Sequence, residues 1–171
     1  MKKQPTRRAA LDDEKPEAFV RKHFGTVWPV HLAAFIRLLT QLRARFDGDL
    51  DLLLVLAVIG DRTRPENWSP ELLNYQKMTH PGEREHLQQP INIQSVADYS
   101  GIARETVRRK VTLLQEKGWI IRDADGRLSV SRTAASDLED ATGDSIAYLA
   151  ALLKAFEEAG IRNNPYDGIA T

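Results

Sequence analysis

The chain has 171 residues, 42% hydrophobic and 28% charged, the proportions of an ordinary globular protein long enough to bury a core. Its 24 basic and 24 acidic side chains cancel to zero net charge, which excludes indiscriminate coating of nucleic acid through a large positive excess. It has no cysteine, so disulfides, thiolate zinc sites and cysteine nucleophiles are excluded too.

Residues 1–15 are polar and carry Lys2, Lys3, Arg7 and Arg8. A mobile arm is expected there, a solvated tail before a phosphate or minor-groove contact. No apolar stretch follows these charges as in a signal peptide, and no run reaches the ~18 residues that span a bilayer. A cytoplasmic protein without membrane contact is the expectation. Residues 16–24 suit a short helix with Phe19 and Val20 on one side. Pro29 fits the first position of a second helix. From there Leu32, Phe35, Leu39, Leu42 and Phe46 recur at three- and four-residue steps, with Trp28 extending the series backwards. Such a stripe either packs on its own domain or joins two subunits.

Asp47-Gly48-Asp49 breaks that helix and supplies an N-cap for the next. Residues 50–59 are almost wholly apolar, too short for a membrane span, and read as a buried helix that covers more than one face. Residues 61–90, with Pro65, Pro70, Pro81, Gly82 and Pro90, read as an insertion. Ser69-Pro70 is a plausible helix start within it. Trp68 and Tyr75 fit packing better than a ligand pocket. His80 and His86, with Glu83 and Glu85 between them, match no metal-ligand spacing. No metal or cofactor is expected.

The most informative stretch is 95–130. Ile91-Asn92-Ile93 alternates like a short strand, and a short helix follows to Ser100. Gly101 suits a sharp turn at positive φ, with Ile102 as an apolar plug. A second helix, about 103–117, places Val107, Val111, Leu113 and Leu114 on a buried stripe and shows Arg104, Glu105, Arg108, Arg109 and Lys110 on its other face. Residues 101–110 thus hold four basic groups against one acid. Gly118 stops the helix. Residues 119–122 and 127–131 read as strands around an Asp125-Gly126 hairpin turn. Ser136 is a plausible N-cap for a last helix over 136–160. There Ile146, Leu149, Leu153 and Phe156 form a second stripe, and Gly160 ends the helix. Residues 163–171 read as a loose tail.

The stretch 91–131 resembles the winged helix-turn-helix of bacterial transcription regulators. Gly101-Ile102-Ala103-Arg104-Glu105-Thr106-Val107, followed by Arg109, is similar to the recognition helix of the cyclic-AMP receptor protein family. The flanking helices resemble the frame of MarR-type regulators. The expected fold class is therefore mainly α with a small β-wing, a winged helix-turn-helix flanked by long N- and C-terminal helices. Residues 16–171 would form one domain: N-terminal helices over 16–60, the insertion over 61–90, the motif and wing over 91–131, and the C-terminal helix over 136–160.

That resemblance implies a transcription regulator bound to double-stranded DNA, with Arg104, Glu105 and Arg109 as base readers in the major groove. Arg108 stands where that family often has a small residue, so it is assigned to base or backbone. Gln94, Ser95, Thr106 and Lys110 are candidates for phosphate, and Arg122 and Arg127 for wing contacts, tempered by Asp123 and Asp125. A homodimer is expected, with Leu32, Phe35, Leu39, Leu42, Phe46, Ile146, Leu149, Leu153 and Phe156 as interface candidates and no effector identified. The alternative is a winged-helix adaptor that binds protein rather than DNA. No nucleotide loop or His/Asp/Ser arrangement points to an enzyme.

Overall fold

A computed structural model describes residues 16–63 and 90–162. The basic arm over 1–15, the insertion residues Ser69, Pro70, Trp68, Tyr75, His80 and His86, and the tail over 163–171 lie outside the described residues. The described chain is mainly helical with one small hairpin. The helices are α1 (Pro16–Lys22), α2 (Phe24–Arg45), α3 (Leu50–Arg62), α4 (Ile93–Ser100) and α5 (Arg104–Glu116). Strands β1 (Ile120–Arg122) and β2 (Leu128–Val130) follow, then α6 (Arg132–Asp137) and α7 (Glu139–Arg162). None of these helices is long and apolar enough to cross a membrane. The described residues form two compact units, one of residues 16–38 and 145–162, the other of residues 39–63 and 90–144.

The central unit holds the larger core. Phe46, Val55, Ile59, Val96, Val107, Val111, Leu114 and Leu128 are each at most 1% exposed there. Helix α3 begins where expected, because the Asp49 carboxylate accepts the Leu52 N–H at 2.9 Å. It buries the stripe Leu52, Val55, Leu56 and Ile59, while Leu50 and Leu54 face outward. Leu53 and Val58 pack partly buried against the same core, so the run covers more than one face, as expected, but not its whole circumference. At α5, Val107, Val111 and Leu114 are buried as expected, but Leu113 is 41% exposed. It stands roughly 100° around the helix from Leu114 and falls off the packed arc.

Trp119 leads into the hairpin, whose register pairs Ile120 with Val130 and Arg122 with Leu128. The expected third strand shrinks to one bridge, Ile91 with Leu128. Its cause is the next residue: the Asn92 side chain caps α4 by accepting the Ser95 N–H, which turns the chain into helix after one pairing. The last helix also starts differently. Ser136 lies inside a separate short helix capped by Ser131, whose hydroxyl accepts the Ala134 N–H while its own N–H is held by the Trp119 carbonyl, and the last helix begins only at Glu139. A short α6 therefore comes straight off β2, and α7 runs past Gly160 to Arg162.

In the terminal unit, Pro29 lies inside α2 rather than at its start. The proline's missing N–H would have bonded the Gly25 carbonyl. Gly25 is exposed, so water can serve that carbonyl and the helix continues. An aromatic ladder lines this part of α2. Phe24 stacks on Trp28 at 5.0 Å, Trp28 meets His31 at 5.0 Å, and His31 stacks on Phe35 at 5.4 Å. Tyr148 of α7 joins it, with its hydroxyl 3.0 Å from His31 Nδ1.

Candidate nucleic-acid interface

Helix α4, a tight turn and helix α5 form a helix-turn-helix. Gly101 caps α4 at φ 70°, the left-handed conformation expected of it, with its N–H on the Ala97 carbonyl. Ile102 packs against the core as the plug in this turn. Ala103 precedes α5 and supplies no side-chain cap to the first-turn N–H groups. The packed arc of α5 is set by Val107, Val111 and Leu114, so Glu105, Arg108, Arg109 and Thr112 face outward, while Arg104, in line with Val111, is exposed as the first residue of the helix.

The charged residues of α5 divide into two kinds. Arg108 donates to both carboxylate oxygens of Glu105, at 2.9 and 2.6 Å. That guanidinium holds the Glu105 carboxyl below its ordinary value, with Arg109 and Arg104 adding to the effect. Lys110 is committed to structure: its ammonium pairs with the Asp49 carboxylate, and its side chain is only 17% exposed. Two turns on, at the end of α5, Lys117 reaches Asp47 at 3.5 Å. Arg104 and Arg109 are different. Both are exposed, and neither forms an ion pair among the described residues.

The remaining candidates are less free. Gln94 donates to Asp98 at 2.8 Å, Ser95 is held by Asn92, and Thr106 is half-buried. In the hairpin, Arg122 turns back onto the Gly126 carbonyl at 3.3 Å. The Arg127 side chain is exposed, while its backbone N–H donates to Asp123. Of the interface candidates, Phe46 belongs to the core of the central unit at 1% exposure, in edge contact with Trp119, and so is removed from any surface. Leu39, Leu42 and Phe156 are half-buried, whereas Leu32, Phe35, Ile146, Leu149 and Leu153 are exposed.

Two partnerships escaped the sequence. Asp49 and Lys110 lie 61 residues apart, and Arg62, whose guanidinium sits 3.5 Å over the Tyr99 ring, is separated from it by the insertion. No local spacing signals either one. Comparison of the chain with protein-family models, curated proteins and solved structures finds no match.

Proposed function

We propose that this protein is a sequence-specific double-stranded DNA-binding transcription regulator that lays α5 in the major groove as a winged helix does. One observation carries the reading: Arg104 and Arg109 are exposed and form no ion pair among the described residues, Arg104 at the first position of α5 and Arg109 on the side opposite its buried stripe. Arginine presents a rigid fork of donors that matches guanine O6 and N7. Leaving two of them exposed on a helix that is itself pinned by Lys110 suits that use. Glu105 and Arg108 act as a pair, each limiting the other's choice of partner, with Glu105 able to accept from a cytosine amino group. Phosphate contacts fall to Thr106, Gln94 and Ser95, and to Arg127 in the hairpin. Lys110 drops out of that set because its charge is spent on Asp49.

The test is selection of bound fragments from a genomic pool, followed by titration of the selected site. Arg104→Ala and Arg109→Ala should each cost about 1–3 kcal/mol on that site and relax its specificity. Lys110→Gln should lower thermal stability more than it alters sequence preference. Failure of the unaltered protein to bind any duplex at low salt would refute the reading, and recovery of a protein partner in its place would favour the adaptor alternative.

A further inference from the structure

The terminal unit is built inside out. Among its described residues, those that are buried are Val27, Leu38, Ala155 and Ala159. Many of its large apolar side chains lie outside: Phe24 is 50% exposed, Trp28 and Leu32 45%, Phe35 38% and Ile36 56% on α2. On α7, Ile146 is 45% exposed, Leu149 61% and Leu153 60%. Side chains of this size, about half exposed, leave on the order of 700–800 Å² open. A typical monomer's largest apolar patch is about 300–600 Å², and a standard interface takes about 800 Å² from each partner.

These residues share one side of the unit. Phe19 meets Phe156 and His31 meets Tyr148, so the α7 segment runs antiparallel to the 16–38 segment. On each of α2 and α7 the exposed stripe lies roughly 100–130° around from the buried residues, in the same rotational sense. In an antiparallel pair, equal rotation in the same sense falls on the same side. Tyr148 touches both His31 and Phe35 and bridges the two stripes.

From this we infer that the face is the contact between two copies of this chain. Residues 24–36 include no Asp, Glu, Lys or Arg, and neither do residues 145–153. Loss of charge from the centre of a patch is the mark of a protein interface. A helix lying on a lipid surface would instead carry Lys and Arg along its polar side, and none stands in either run. An area close to that of a standard interface, together with a unit that buries little of its own, selects a second copy as the occupant. The inference is independent of the DNA reading, and its test contains no DNA.

Light scattering across a range of concentrations tests it. The protein should have twice the 19.3 kDa chain mass at micromolar concentration. Leu149→Lys/Leu153→Lys on α7 and Leu32→Lys on α2 should each return it to one chain with its far-ultraviolet helical signal retained. A lysine variant that loses that signal is replaced by Leu153→Cys, a unique cysteine in this chain, carrying a nitroxide. Dipolar coupling between the two labels then supports the dimer, and its absence overturns it. An unaltered protein that keeps one-chain mass to ~100 µM overturns the inference. So does a dimer that survives both folded variants. One-chain protein that co-sediments with phosphatidylcholine/phosphatidylglycerol vesicles overturns it in favour of lipid.

Discussion

At the residue scale, Asp49 serves two elements with one carboxylate. One oxygen accepts the Leu52 N–H and starts α3; the other pairs with Lys110 and fastens α5. Partial burial pushes this carboxyl upward. Hydrogen bonds from Lys110 and the Leu52 and Asp51 N–H groups, with the Lys110 charge, outweigh that and hold it below its ordinary value. A carboxyl lowered by folding contributes stability that is fully present above the usual carboxylate range, about pH 4, and lost as pH falls through its folded value. Asp49→Asn keeps a competent cap but leaves Lys110 buried without its counter-charge. It should cost about 1–3 kcal/mol at neutral pH, and Asp49→Ala about 1 kcal/mol more for the cap. Urea unfolding from pH 7 down to pH 3 checks this. An Asn variant that loses stability with acid as steeply as the parent would show that Asp49 does not carry the effect.

At the element scale, the helix-turn-helix and the hairpin are held by few, identifiable groups. A Cβ at Gly101 would meet nothing within 4 Å, so the cost of a side chain there is the left-handed backbone itself. Gly101→Ala should therefore lower stability by about 1 kcal/mol without a steric clash. Trp119 packs edge-on against Phe46 and donates its indole N–H to Asp137 at 2.9 Å, tying the start of the hairpin to the end of α6. Trp119→Phe keeps the ring and loses the donor, for about 1 kcal/mol. Thermal unfolding of both variants measures these costs. A Gly101→Ala protein as stable as the parent would mean that the turn is not set by φ.

At the scale of the whole molecule, neutrality conceals an uneven arrangement. A local excess of positive charge lies on α5, and half of its four basic groups are already bound to Glu105 and Asp49. The apolar surface is uneven as well, since the central unit encloses a large cluster of apolar residues and exposes a few, while the terminal unit displays a continuous group of them. Association that covers such a face stabilises the folded chain by mass action. The melting temperature should accordingly rise with protein concentration, and Leu149→Lys/Leu153→Lys should abolish that dependence. Calorimetry at ~5 and ~100 µM gives the comparison, and an invariant melting temperature in the parent protein would count against association.

Much of the architecture was written locally. The glycine at 101, the Asp125-Gly126 turn, the Asp49 cap and the period of Val107, Val111 and Leu114 each act within a few residues, so the helix-turn-helix and hairpin were legible from the sequence. Other boundaries went to stronger local competitors: Asn92 ended a strand early, and Ser131 began a helix before Ser136 could. The stripes on α2 and α7 were legible as apolar but not as buried or bare. Periodicity gives the face of a helix, whereas only packing says what lies against it. Phe46 and Leu149 match the same pattern, and one is enclosed while the other is open. The charged face of α5 was equally visible, but which of its cations were free depended on Asp49, a partner 61 residues away. The sequence by itself determined the elements and the turns, because those are short-range choices of backbone and cap. Only the tertiary structure decided which charges are spent and which apolar faces remain open, because both depend on neighbours far along the chain.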